Sequence, residues 1–159
     1  MRSLLNGKLA GAGVLAVAVC SLALDATASP GSTKQRVAIT VKGSDHTFVL
    51  TPLTSGPVES DAGTELGCCW GDRWVVRDGQ RIEINDPLVT LTGRRGVITV
   101  RYRIEWVDAG NGYSVGTGTW RVVRGTGAYA HVTGSGRSAH AWPPSGFAGG
   151  RSEGFLITR

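Results

Sequence analysis

The sequence holds only 3 cysteines in 159 residues, and no segment shows sustained helical periodicity. After the N-terminus there is no further long apolar run. No serine lies in a nucleophile-elbow sequence, and no cysteine–histidine spacing matches a zinc site. Each absence excludes something. Without helical periodicity, helix bundles and alternating α/β folds are out. Without a later apolar run, no internal helix is expected to span a bilayer. Without a nucleophile elbow or a paired set of carboxylates, hydrolase chemistry has nothing to build on. No metal and no other cofactor is expected.

What is present begins with an export signal. Arg2 and Lys8 supply positive charge, Leu9 to Leu24 is almost entirely apolar, and Ala26-Thr27-Ala28 offers the small-x-small pattern of a cleavage site. The apolar run is shorter than the roughly 20 residues of a membrane-spanning helix. Cys20 follows Val19, where lipid attachment wants a small residue. The expectation is a signal peptide at 1–28, a flexible mature start at 29–35 and one domain at 36–159, secreted and free of the membrane after cleavage.

Cleavage removes Arg2, Lys8 and Asp25 and lowers the formal charge from +5 to +4. Arginines such as Arg101, Arg103, Arg121 and Arg137 alternate with apolar or small residues, as on a solvated sheet face. A nucleic-acid surface would cluster them, so no nucleic-acid partner is expected. Cleavage also leaves only the adjacent pair Cys68-Cys69, in an oxidising compartment. Neighbouring Cα atoms are about 3.8 Å apart, below the roughly 4.4–6.8 Å of ordinary disulfides. A strained vicinal disulfide, two free thiols and links to a second chain are all open.

Strand patterns fill the mature chain. Val37-Ile39-Val41 and Phe48-Leu50 alternate with polar or small neighbours around a Gly43-Ser44-Asp45 turn. Residues 52–67 read as a long loop ending at Cys68-Cys69-Trp70. Trp74–Arg77 and Arg81–Ile84 flank Asp78-Gly79, a hairpin signal, and Leu88–Leu91 follows Asp86-Pro87. Val97–Val107 is the clearest strand. Ile98, Val100, Tyr102, Ile104 and Trp106 point one way, and Thr99, Arg101, Arg103 and Glu105 point the other. Tyr113–Arg124, Ser135–Trp142 and Ser152–Thr158 complete seven to nine antiparallel strands. Glycines inside strands permit the bends a small barrel needs, and the Cys…Trp…Cys framework of an immunoglobulin sandwich is missing. The fold class is all-β, a small antiparallel barrel.

Residues 112–136 carry a resemblance. Gly116-x-Gly118-x-Trp120 leads into a strand ending Gly125-Thr126-Gly127, with Tyr129 two residues on and Gly134 five after that. This resembles the allene oxide cyclase and dirigent-protein barrel superfamily, including short secreted bacterial relatives. The resemblance implies an eight-stranded barrel with an apolar central cavity, in which plant members steer cyclisation or coupling of reactive apolar intermediates by shape. It transfers no catalytic residue, and Arg124 stands where dirigent proteins usually have glycine. Read physically, Gly125, Thr126, Gly127, Tyr129 and Gly134 form a structural turn motif, with the tyrosine ring folded over a tight turn.

The residues expected to line a cavity or its rim are Phe48, Trp74, Tyr102, Trp106, Trp120 and His140; equally, the aromatics could simply fill the barrel. His46 is placed at a hairpin tip, and Glu105 is expected to form a surface ion pair with Arg101 or Arg103. Three functions follow: binding of a small apolar or aromatic molecule, cyclase or isomerase templating in the same cavity, or an interaction module presenting residues 52–70.

Overall fold

A computed structural model describes residues 31–146 and 149–159; the expected signal peptide at 1–28 lies outside the described residues. Ten strands run through them: β1 (Thr33–Lys42), β2 (Thr47–Pro52), β3 (Asp61–Cys68), β4 (Arg73–Arg77), β5 (Gln80–Asn85), β6 (Leu88–Gly93), β7 (Val97–Gly110), β8 (Tyr113–Gly125), β9 (Thr133–Trp142) and β10 (Gly149–Thr158). Eight of them, in the order β7-β6-β3-β2-β1-β10-β9-β8, form an antiparallel sheet that closes through β7–β8 pairing into a barrel. The eight-stranded count is the size at which side chains can nearly fill the interior.

β4 and β5 stand outside the ring as a hairpin flap. β7 is long enough to pair with two strands end to end. Its first half pairs with β6 from Thr92↔Val97 to Leu88↔Arg101, and its second half pairs with β5 at Asn85↔Ile104 and Glu83↔Trp106. Asp86-Pro87 joins the two, and the Pro87 carbonyl accepts the Tyr102 N–H at 3.0 Å. The flap therefore continues the lumen-facing row of β7 beyond the barrel wall.

The hairpins and the alternation of β7 follow the sequence pattern. Residues 52–67 do not. Asp61–Cys68 is a full strand, paired to both β2 and β6. The register puts Asp61, Gly63, Glu65 and Gly67 on the lumen side, opposite Leu50, Phe48, Leu91 and Val89. Glycines and carboxylates at the inward positions erase the apolar alternation by which a half-buried strand is read. Within the interaction loop expected at 52–70, Asp61–Cys68 is instead barrel wall. The boundary at 35 also moves, because β1 begins at Thr33. Buried Gln35 donates through Nε2 to the Thr54 and Val58 carbonyls (2.8 and 2.9 Å) and accepts the Val58 N–H (2.8 Å), tying the 53–58 segment to the barrel.

The lumen core is Val37, Ile39, Leu50, Leu91, Ile98, Val100, Trp120 and Leu156, all 2% exposed or less. The Trp120 indole crosses β9 and β10 where both are glycine: a Cβ on Gly136 would lie 2.6 Å from Trp120 Nε1, and one on Gly154 2.8 Å from Cζ2. Strand glycine here makes room for the largest side chain in the core.

Candidate functional site

The two ends of the lumen differ. One end is plugged by a polar cluster. The Tyr129 hydroxyl donates to Asp61 Oδ2 at 2.9 Å, Asp61 Oδ1 accepts the Ala62 and Arg94 N–H groups at 2.9 and 3.0 Å, and Arg95 N–H reaches Oδ2 at 3.3 Å. Burial by itself raises the Asp61 pKa. The Tyr129 hydroxyl and the three N–H groups outweigh it and hold the carboxyl below its ordinary value. The same arrangement, burial first and then the bond to Asp61, pushes the Tyr129 phenol up. In the turn motif Gly127 has φ +61°, whereas Gly125 is excluded from carrying a side chain by a close approach: a Cβ there would collide with the backbone of buried Tyr129. Its hydroxyl partner, Asp61, has no local signature, because it opens a strand whose inward positions carry no apolar residue.

The opposite end is open. A cavity of about 200 Å³ is walled by Val41, Val89, Ile104 and Tyr102, with His140 at its side and Glu65, His46, Trp70 and Trp142 around the mouth. His140 lies on the inward face of β9, level with Gly116 of β8 and Gly150 of β10. A Cβ on Gly150 would meet His140 Cε1 at 2.8 Å, so only glycine leaves the imidazole its place. The ring lies 5.6 Å from Tyr102, edge-on, and 5.9 Å from Trp106. Its Nε2 is buried with no hydrogen-bond partner among the described residues, as is Ser138 Oγ, two residues back on the same strand face. Burial lowers the His140 pKa to about 4, so the imidazole is neutral at pH 7. Burial pushes Tyr102 up to about 12, and its hydroxyl shares a 3.2 Å hydrogen bond with Ser152. Glu65 is raised by burial, a shift partly offset by His46, whose Nδ1 stands 3.9 Å from its carboxylate.

Of the six residues expected to line a cavity, Tyr102 and His140 do so. Trp106 backs the His140 ring, while Phe48 and Trp120 are packed into the filled core. Trp74 is 53% exposed on the flap, with the Arg81 guanidinium 3.9 Å over its ring. Register explains it: Trp74 shares the face of Glu83 and Trp106, but it lies two strands out from the ring, beyond the packed lumen. Glu65, like Val41, Val89, Trp70 and Trp142, is a cavity residue outside the expected set, and no local period marks it, because the inward positions of β3 carry no apolar residue. Glu105 forms its ion pair with Arg77 of the flap at 3.0 Å, not with Arg101 or Arg103 of its own strand. His131 is exposed in the turn before β9.

Cys68 and Cys69 are two exposed free thiols with Sγ atoms 2.8 Å apart, so of the three open states the structure has two free thiols and no vicinal disulfide. Adjacent Cα atoms are too close for ordinary bridge geometry, and the strand ends between the two residues, with Cys69 at φ +59°. Among the described residues, no group of three or more His, Cys, Asp or Glu side chains could hold a metal ion, and no helix is long and apolar enough to cross a membrane.

The His140 environment has a measurable consequence. An unfolded chain takes up the imidazole proton near pH 6.5 and the folded one only near pH 4. Stability should therefore fall as pH drops through that window, by on the order of 3 kcal/mol from this residue. Glu65, raised in the fold, acts with the opposite sign. Urea midpoints at pH 7 and pH 4 should show a smaller drop for His140→Phe than for the wild type; an equal drop would place the titration elsewhere.

No protein-family model, curated protein or solved structure matches this chain.

Proposed function

We propose that this chain is an exported barrel that binds a small apolar or aromatic molecule in the open end of its lumen. The observation that carries the reading is the cavity: about 200 Å³, apolar on its walls, with a neutral histidine at its side. An engineered apolar cavity of about 150 Å³ accepts benzene, so this one fits a single ring with a short substituent. The closed ring of eight strands and the Gly125-Thr126-Gly127…Tyr129 turn support kinship with the allene oxide cyclase and dirigent barrels. The N-terminal pattern through Ala28 supports secretion.

The test is titration of the cleaved chain with toluene and p-cresol, followed by tryptophan fluorescence. Val41 is half-buried in the cavity wall, and Val41→Trp should fill the space and weaken binding at least tenfold, about 1.4 kcal/mol. Unchanged affinity in that variant would remove the cavity as the binding site.

A templating enzyme is the second reading. Glu65 and His140 favour it: a carboxyl with its pKa raised and an imidazole kept neutral lie on one cavity, the pairing that acid–base catalysis uses. Glu65→Gln should then abolish turnover of a cyclising substrate while leaving ring binding in place.

A further inference from the structure

A second cavity, of about 340 Å³, lies beside the open end of the lumen, between the flap and the ends of β7, β8 and β9. Three indoles and four polar side chains surround it: Trp70, Trp106 and Trp142, with Asp72, Glu83, Asn85 and Ser114. Trp106 and Trp142 meet at 84° with ring centroids 6.4 Å apart, which makes a corner of two aromatic surfaces. Glu83 is the cross-strand partner of Trp106, so its carboxylate starts from the same face.

The charges on this cavity are unbalanced. Asn85 is buried, and its single amide nitrogen donates to both Asp72 Oδ1 (2.6 Å) and Glu83 Oε1 (2.9 Å). A neutral amide thus holds two carboxylates together without cancelling either charge. Neither takes part in any ion pair among the described residues. The three guanidinium groups of the flap form no ion pair with either carboxylate: Arg73 is bonded to Asp86 at 3.2 Å, Arg77 to Glu105 at 3.0 Å, and Arg81 lies over the ring of Trp74, the cross-strand neighbour of Glu83. In a chain of net positive charge, two uncompensated carboxylates beside three indoles favour one kind of occupant. Indole faces attract cations through the ring quadrupole and present apolar area to alkyl groups. They offer a metal ion no ligand.

We infer that this groove is a binding site for an organic ammonium cation, with the indoles around its alkyl groups and Asp72 and Glu83 balancing its charge. The site is independent of the lumen cavity in its charged residues, though Trp70 and Trp142 border both.

The test uses choline and 3,3-dimethyl-1-butanol, which has the same shape without the charge, each titrated into the cleaved chain by calorimetry. Choline should bind saturably and at least tenfold more tightly than the neutral alcohol. The Asp72→Asn/Glu83→Gln double variant should lose at least tenfold in choline affinity while retaining p-cresol binding in the lumen. Trp142→Ala, which removes an exposed side chain, should weaken choline as well. Absence of saturable choline binding to the wild type, equal binding of the two probes, or unchanged choline affinity in the double variant would each overturn the assignment. Loss of p-cresol binding by the wild type alone would instead count against the lumen site and leave this one standing.

Discussion

Asp61→Ala should lower the unfolding free energy by about 3–5 kcal/mol at pH 7. The side chain is 2% exposed and accepts four hydrogen bonds, from the Tyr129 hydroxyl and the N–H groups of Ala62, Arg94 and Arg95. Truncation strands all four donors, and an unpaired buried donor costs about 1–3 kcal/mol. Backbone groups near the surface recover some of that from water, so the sum stays below four full penalties. A domain of this size is stable by only about 5–15 kcal/mol, so the variant would be close to unfolding. Tyr129→Phe, which removes one of the four bonds, should cost about 1–2 kcal/mol. The carboxyl is held below its ordinary value in the fold. Its contribution is therefore complete above the unfolded pKa of about 3.9 and is lost as pH falls through the lower folded value. Urea titrations at pH 7 and below pH 4 measure both effects. A loss under 1 kcal/mol in Asp61→Ala would mean that the cluster is not what closes this end of the barrel.

Trp120→Ala should cost a comparable 3–5 kcal/mol, the range for removing a buried tryptophan from a core. The indole fills the lumen beside Gly136 and Gly154, and its Nε1 donates to the Glu153 carbonyl at 3.3 Å. Gly154→Ala addresses the same contact from the other side. The added methyl would lie 2.8 Å from Trp120 Cζ2 and 2.6 Å from Gly136 Cα, and it would also meet the Ser135 carbonyl. Overpacking of this kind costs about 1–3 kcal/mol or more. The double variant should be less stable than Trp120→Ala, because the β9 backbone still blocks the methyl when the indole is gone. Thermal and urea unfolding of the four species closes the cycle. A double variant at least as stable as Trp120→Ala would show that the indole alone imposes the glycine.

Where alternation was clean, the fold was legible. Ile98, Val100, Tyr102, Ile104 and Trp106 all face inward as their spacing says, and the Asp78-Gly79 hairpin lies where its turn residues put it. β3 was illegible because its inward residues are Asp61, Gly63, Glu65 and Gly67. Those residues carry the site: Asp61 plugs one end and Glu65 borders the cavity at the other. Function and legibility conflict here for a physical reason. A strand that offers carboxylates and space to the lumen cannot also show the apolar alternation that betrays a strand.

Residue order along the chain was enough to dictate the all-β class, the hairpin turns and the inward face of the longest strand, because these depend on local period and turn chemistry. Pairing across the ring decided the rest. It separated the filled end from the open one, sent Phe48 and Trp120 into the core, and left Trp74 outside. It also brought Asp61 to Tyr129 across 68 positions and set Asp72 and Glu83 on one amide. None of these has a local signature, since each depends on which strands become neighbours when the barrel closes.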